Sequence, residues 1–456
     1  MVRGNGSHAR GRPEGVLATV EEFQWWWGER HRAGRFEVVQ VPFAELGPWS
    51  FDDATGDLRH VSGRFFSVEG LRVETGGVPV CAQPVINQPE IGMLGILVEE
   101  FEGVLHCLMQ AKMEPGNVNT LQLSPTVQAT KSNYSRVHQG SKTRYLEHFA
   151  GPDRGEVLVD VIQSEQGSWY WRKRNRNIVV RAGGPVELVD DFRWLPLSLV
   201  YELLRVDNLV NMDARTVLSC MPLLDAGPDI DMLAASYHEG AGQERTQALH
   251  SLGEIMSWLI EAKTRCDWST RLVGLRDVRG WHRTQYEIAD DECRQFRIIG
   301  VRVAADNREV TTWTQPLLAP RGDGLAVFVA RRIQGVPHLL VRAWPETGLP
   351  DMVELGPTIQ IAPGADASTV EDPLLREVAA GTVGEARYDA VLSEEGGRFY
   401  HALTRYRVVH VDDEFPIEVP EDYRWMTKPQ LTTLLRRGHY INIEARTLLA
   451  CAHALW

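Results

Sequence analysis

Asn211-Met212-Asp213-Ala214-Arg215-Thr216 returns as Asn442-Ile443-Glu444-Ala445-Arg446-Thr447, and at this spacing, about 232 residues, the chain resembles itself over most of its length. Phe23-Gln24-Trp25-Trp26 lines up with Ile255-Met256-Ser257-Trp258, Gly103-Val104-Leu105-His106 with Gly335-Val336-Pro337-His338, and Ser124-Pro125-Thr126-Val127-Gln128 with Gly356-Pro357-Thr358-Ile359-Gln360. A period this long exceeds any solenoid unit, so each copy is expected to be a domain. The reading is a tandem duplication of two mixed α/β (α+β) domains. A flexible tail covers 1–22, the first copy 23–222, a linker 223–254 and the second copy 255–456. Within the first copy the pattern predicts a helix at 21–32, strands at 93–99, 104–113, 156–163 and 168–180, and helices at 197–206 and 213–221.

The strand 104–113 points to the chemistry, because side chains alternate faces with period two. Cys107, Met109, Ala111 and Met113 form an apolar face for the core, and His106, Leu108, Gln110, Lys112 and Glu114 share the other. An amide, an ammonium and a carboxylate in line suggest a pocket wall, although a solvated outer face would give the same pattern. Glu114-Pro115-Gly116-Asn117 then makes a turn able to bring backbone amides close to a ligand. The following segment, 121–134, places Thr126, Gln128 and Thr130 on one side if it is extended, with Lys131-Ser132-Asn133-Tyr134 beyond. Such uncharged hydrogen-bonding capacity suits a hydroxyl-rich ligand. His106 recurs as His338, which favours a structural role.

Trp169-Tyr170-Trp171-Arg172-Lys173-Arg174-Asn175-Arg176 sets aromatics beside positive charge, a composition suited to clamping a nucleotide diphosphate and equally to an edge strand with gatekeeper charges. The copies differ where it matters. Gln110, Lys112 and Asn117 become Arg342, Trp344 and Leu349, whereas Glu114 keeps its counterpart in Glu346. Catalysis is therefore expected in the first copy.

The 456 residues carry 48 Lys+Arg against 61 Asp+Glu, a net charge of −13, with 43% hydrophobic and 24% charged residues. That balance argues against general nucleic-acid binding. No stretch approaches the roughly 18 to 20 apolar residues of a membrane span, and Met1 to Glu14 has no apolar signal segment, so a cytoplasmic location is expected. The six cysteines form no Cys-x-x-Cys pair, and P-loop, Gly-x-Gly-x-x-Gly, His-Glu-x-x-His and Gly-x-Ser-x-Gly motifs are absent.

Four motifs carry a resemblance to a known family: Ser62-Gly63-Arg64-Phe65-Phe66-Ser67-Val68, Asn87-Gln88-Pro89-Glu90-Ile91-Gly92, Gln110-Ala111-Lys112-Met113-Glu114-Pro115-Gly116-Asn117, and Gln122-Leu123-Ser124-Pro125-Thr126-Val127-Gln128-Ala129-Thr130-Lys131-Ser132-Asn133-Tyr134. With them the chain resembles the NDP-hexose 2,3-dehydratases of deoxysugar biosynthesis. The resemblance implies two Nudix-like domains, a cytoplasmic homodimer, a dTDP-4-keto-6-deoxyhexose substrate, no cofactor or metal, and a downstream 3-ketoreductase in antibiotic biosynthesis. Water would leave across carbons 2 and 3. Lys112, aided by Gln110 and Gln128, would stabilise the enolate oxygen, and Glu114, Tyr134 and His138 are the candidates for base and acid. Arg64, Asn117, Gln128, Thr130, Asn133, Trp169, Trp171 and Arg172 are the further candidates for substrate binding. A Nudix-type metal-dependent sugar-nucleotide pyrophosphohydrolase and a non-catalytic sugar-nucleotide-binding protein stay open as alternatives, the first requiring a magnesium site.

Overall fold

The computed structural model describes residues 13–130, 143–151, 154–221, 248–292, 294–306 and 311–452. Each repeat opens on an amphipathic helix. Thr19 caps Val20–Arg32 by accepting from Glu22 N at 3.3 Å, and Phe23 and Trp26 turn inward. Ser251 and Glu254 form a capping box at the start of Leu252–Arg265, where Ile255, Trp258, Leu259 and Ala262 keep the spacing of one buried face. No helix among the described residues is long and apolar enough to cross a membrane.

The architecture is mixed α+β in two similar halves. In the first, a central sheet runs in the order Glu156–Ser164, Arg174–Arg181, Gly92–Phe101, Val104–Met113, Phe192–Pro196, with Leu121–Ser124 and Val127–Ala129 added to the middle strands. The second half repeats it with Glu385–Ser393, Leu403–His410, Gly324–Ile333 and Val336–Pro345, flanked by Val353–Gly356, Ile359–Ile361 and Tyr423–Met426. Each central sheet contains one parallel pair, Arg174–Arg181 on Gly92–Phe101 and Leu403–His410 on Gly324–Ile333.

The two smaller sheets are shared between the halves. Phe36–Val41 pairs with Phe296–Ala305 of the second repeat, and Trp268–Val273 pairs with Ser67–Thr75 of the first. Each repeat thus lends its first strand to the other. The main core is also common to both: Ile96, Cys107 and Met109 from one central sheet and Phe328, Leu339 and Val341 from the other pack around the helices Met212–Ser219 and Ile443–Ala452. Arg215 and Arg446 lie fully buried there, and each donates across the boundary, Arg215 Nη2 to Ser393 O at 2.7 Å and Arg446 Nη2 to Ser164 O.

The strand Val104–Met113 has the predicted bounds, with Cys107, Met109, Ala111 and Met113 in the core. The strand predicted at 168–180 begins only at Arg174. Ahead of it the chain turns, Arg172 adopting φ 49° and giving its amide to Gly348 O at 2.7 Å, while Trp169 and Tyr170 pack on Phe399. Contacts with the other repeat override the alternating pattern.

Candidate functional site

Strand alternation brings Lys112 and Glu114 onto one side of the first central sheet. Lys112 Nζ lies 3.0 Å from Glu114 Oε1, and Gln128 Nε2 donates to the same oxygen at 2.8 Å. Asn211 extends the cluster: its Nδ2 reaches Ser124 Oγ at 2.9 Å and Gln128 Oε1 at 3.4 Å, while its Oδ1 caps the helix Met212–Ser219 by accepting from Ala214 N at 2.8 Å. One carboxylate oxygen thus receives a charge-assisted bond and an amide bond, and the amide is held in turn by a helix cap. The Glu114 side chain is 6% exposed and that of Lys112 18%, so the ammonium is the accessible end of the pair.

The turn after Glu114 is fixed from within. Asn117 N donates to Glu114 O at 3.2 Å, Glu114 N to Thr120 O at 3.1 Å, and Asn117 Nδ2 to Thr120 O at 3.2 Å. Thr126 is committed to the scaffold, its hydroxyl bonding Leu108 O and accepting from Leu97 N at 2.9 Å. His106 is buried with Nδ1 2.8 Å from Val104 O, and His338 repeats this at 2.9 Å, in keeping with a structural role.

The second repeat preserves the frame and omits the cation. Gln360 Nε2 donates to Glu346 Oε1 at 3.1 Å, and Asn442 Nδ2 reaches Glu346 Oε1 at 3.2 Å and Gln360 Oε1 at 2.9 Å. Where Lys112 stands in the first copy there is Trp344, with the Arg342 guanidinium 4.7 Å over its ring and Arg342 Nε bonded to Asp422 at 2.7 Å.

The other candidates are distributed differently. Gln110 is partly buried two residues before Lys112 on the same strand face, Asn117 is buried in the turn, and Thr130 is partly buried at the end of the strand bearing Gln128. Asn133, Tyr134 and His138 lie outside the described residues. Arg64 is exposed in a turn of the small sheet. Trp169, Trp171 and Arg172 belong to a segment that abuts the second repeat's turn after Glu346, where Gly348 N donates to Gly167 O at 2.7 Å. Trp169 is 8% exposed, and Arg172 lies 4.5 Å over the Trp171 ring. The structure therefore groups Lys112, Glu114, Asn117 and Gln128, while Trp169 and Tyr170 pack on Phe399 of the same second-repeat loop whose Gly396 O accepts from Gly116 N.

A buried acidic layer lies beneath the group. Burial lifts the Asp213 carboxyl well above its usual range, the negative charges of Glu395, Glu165 and Glu114 adding to the effect and Lys112 opposing it. Glu165 is pushed up to about 7 by burial and by Glu395. Among the described residues no group of His, Cys, Asp and Glu is arranged to hold a metal ion. A cavity of about 500 Å³ between 143–148 and 185–189 includes neither Lys112 nor Glu114. Sequence reasoning missed Asn211 because an N-cap asparagine is unremarkable in itself; the signal was its identity in both repeats.

The sequence profile of the NDP-hexose 2,3-dehydratases matches residues 20–221 and again 252–452. The chain belongs to the NDP-hexose 2,3-dehydratase family. Among curated members of this family, a protein of Saccharopolyspora spinosa is 48% identical over 451 residues, covering 97% of this chain and 93% of its own. One of Streptomyces violaceoruber is 50% identical over 442 residues, covering 95% and 97%, and one of Amycolatopsis orientalis is 45% identical over 451 residues, covering 97% and 92%. Each is named dTDP-4-dehydro-6-deoxy-alpha-D-glucopyranose 2,3-dehydratase. The family match takes in both repeats, so the polar frame common to Glu114 and Glu346 lies inside it twice.

Proposed function

We propose that this chain is a dTDP-4-dehydro-6-deoxyglucose 2,3-dehydratase, a hydro-lyase whose reaction takes place in the first repeat. The observation that carries the placement is the Lys112–Glu114–Gln128 cluster, present with its ammonium in the first repeat and with Trp344 instead in the second. The carbon-4 ketone acidifies the carbon-3 proton. A base removes that proton, charge gathers on the carbon-4 oxygen, and the carbon-2 hydroxyl departs as water with a proton from a general acid. The resulting enol tautomerises to the 3,4-diketo-2,6-dideoxy sugar nucleotide, so substrate equals product plus one water. Lys112 is placed to hold the developing oxyanion. Glu114, Tyr134 and His138 are the candidates for the proton transfers, and Glu114 has the geometry to remain fixed by Lys112 and Gln128 while it acts. Arg64, Trp169, Trp171 and Arg172 are retained for nucleotide binding. The assembly is a cytoplasmic homodimer, and a reductase acting on the carbon-3 ketone consumes the labile product in antibiotic deoxysugar biosynthesis.

The test is mass spectrometry of the purified protein with dTDP-4-dehydro-6-deoxyglucose in the presence of a chelator. The expected result is loss of one water from the sugar nucleotide, or release of dTDP as the diketone decomposes, at a rate the chelator leaves unchanged. Formation of dTMP and sugar phosphate only after magnesium is added would replace this reading with hydrolysis. Unchanged substrate that is nonetheless bound would make the protein a binder.

A further inference from the structure

The second repeat reaches into the first repeat's site. The turn Glu114-Pro115-Gly116-Asn117 is held by Glu395-Gly396-Gly397-Arg398: Gly116 N donates to Gly396 O at 2.7 Å, and His401 N donates to Gly116 O at 2.7 Å. A Cβ at position 396 would stand 2.0 Å from Asn117 Oδ1, and one at 397 would stand 3.8 Å from Glu114 Oε1. Only a glycine at 396 lets the backbone pass this close to Asn117, and at 397 the chain runs in ordinary van der Waals reach of the carboxylate that binds Lys112. The next residue is Arg398. Its guanidinium lies 4.3 Å over the Phe66 ring, its Nε donates to Gln88 Oε1 at 3.2 Å and its Nη1 to Gly397 O at 2.8 Å. Among the described residues Arg398 forms no ion pair, and its Nη2 makes no hydrogen bond.

The opposite junction has a different content. There the first repeat's Gly167-Ser168-Trp169 lies against the turn after Glu346, so Trp169 occupies the position of Arg398, as Trp344 occupies that of Lys112. At these two equivalent positions one junction has Lys112 and Arg398 and the other has Trp344 and Trp169, the Arg342 guanidinium of the second lying over Trp344 and bonded to Asp422. The difference is chemical, because the backbone grip is the same at both.

Resting on the dehydratase reading, we infer that Arg398, contributed across the repeat boundary, binds the diphosphate of the sugar nucleotide in the first repeat's site. Carbon 1 of the hexose bears the diphosphate while carbons 3 and 4 face the reacting groups, so the phosphate-binding cation belongs on chain that adjoins the Glu114 turn without being part of it, and Arg398 lies two residues after Gly396, which holds that turn. Arg398 meets that demand. Its plane is fixed by Phe66 and Gln88, its charge is not neutralised by an ion pair, and a planar guanidinium edge matches phosphate oxygens. The site is thereby incomplete without the second repeat, which gives the diverged copy a task at the first copy's site.

The experiment measures dTDP and thymidine binding calorimetrically, with steady-state kinetics, for the full chain and for Arg398→Ala, Arg398→Gln and Arg398→Lys. Loss of a charged phosphate contact is expected to weaken dTDP binding about tenfold or more in the Ala and Gln variants. KM should rise by a similar factor, thymidine affinity should stay the same, and Lys should recover part of the loss. Unchanged dTDP affinity would overturn the inference, as would an equal loss for thymidine and dTDP, which marks a scaffold role. Should Ala misfold, the comparison of Gln with Lys still isolates the charge. A wild-type protein that neither binds dTDP nor dehydrates the substrate removes the dehydratase reading and this inference together, whereas normal wild-type turnover with unaffected variants removes the inference alone.

Discussion

Replacing Lys112 by Ala is expected to lower kcat by roughly a hundred- to a thousandfold, the range associated with removing one preorganised donor to an oxyanion. KM should change little. Before carbon 3 loses its proton the carbon-4 oxygen is a neutral ketone, so the ammonium interacts most strongly after charge has moved onto it, and such an interaction appears in kcat. The fold should persist, because the packing face of the strand Val104–Met113 is formed by Cys107, Met109, Ala111 and Met113, and Lys112 projects from the other. Glu114 keeps its bond from Gln128 at 2.8 Å. The second repeat offers no substitute, since Trp344 stands at the equivalent place and cannot donate an ammonium proton. Steady-state release of dTDP with a thermal melt on the same preparation checks the expectation, and Lys112→Met serves if Ala proves unstable. Retention of more than about a tenth of the activity by a folded variant would remove Lys112 from the mechanism.

The sequence carries the repeat, the helix caps and the strand Val104–Met113 plainly, because each rests on a local pattern: a capping residue, a buried helical face, or period-two alternation closed by a Pro-Gly turn. It does not carry the strand exchange. Phe36–Val41 and Trp268–Val273 descend from equivalent positions, and each would satisfy the ladder of either small sheet, so the pairing partner is a choice between copies that no local pattern records. The same limit hid Arg398. An arginine after two glycines has no signature of its own, and only the contact of Gly396 with the turn after Glu114 gives it a place. The run from Trp169 to Lys173 misled in the opposite sense: its alternation reads as strand, but its amides are taken by Ile86 O and Gly348 O, and the chain turns. Lys112, Glu114 and Gln128 were legible together because two adjoining extended segments fixed which faces they share.

Glu354→Gln is expected to raise stability at pH 8 by roughly 3 kcal/mol at most and to leave it unchanged at pH 4. Glu354 is fully buried at the junction of the repeats, with the Ser164 hydroxyl 2.6 and 2.7 Å from its two carboxylate oxygens. Burial pushes its carboxyl up from an ordinary 4.5 to about 7, against the lowering effect of the Ser164 bond and of Arg446. Below pH 4.5 the side chain is protonated in both folded and unfolded chains and exacts no penalty. Between pH 4.5 and 7 the unfolded chain ionises first, so the folded state binds more protons and stability falls as pH rises, by up to about 1.4 kcal/mol per pH unit. Above about 7 both forms are ionised and the full cost persists. The duplication itself shows that an amide fits, since Gln122 occupies the equivalent position in the first repeat and its Nε2 donates to Ser393 Oγ at 2.8 Å. The carboxylate is thus a variation on a position where the neutral isostere is already at home. Glu165, also raised to about 7, will preserve some of the wild-type slope in the variant. Thermal melts of both proteins from pH 4 to 9 should converge at the acid end and separate by several degrees at pH 8. A variant that melts at or below the wild-type temperature at pH 8 would show that the Glu354 carboxylate is compensated by Arg446 and Ser164 more fully than its burial allows.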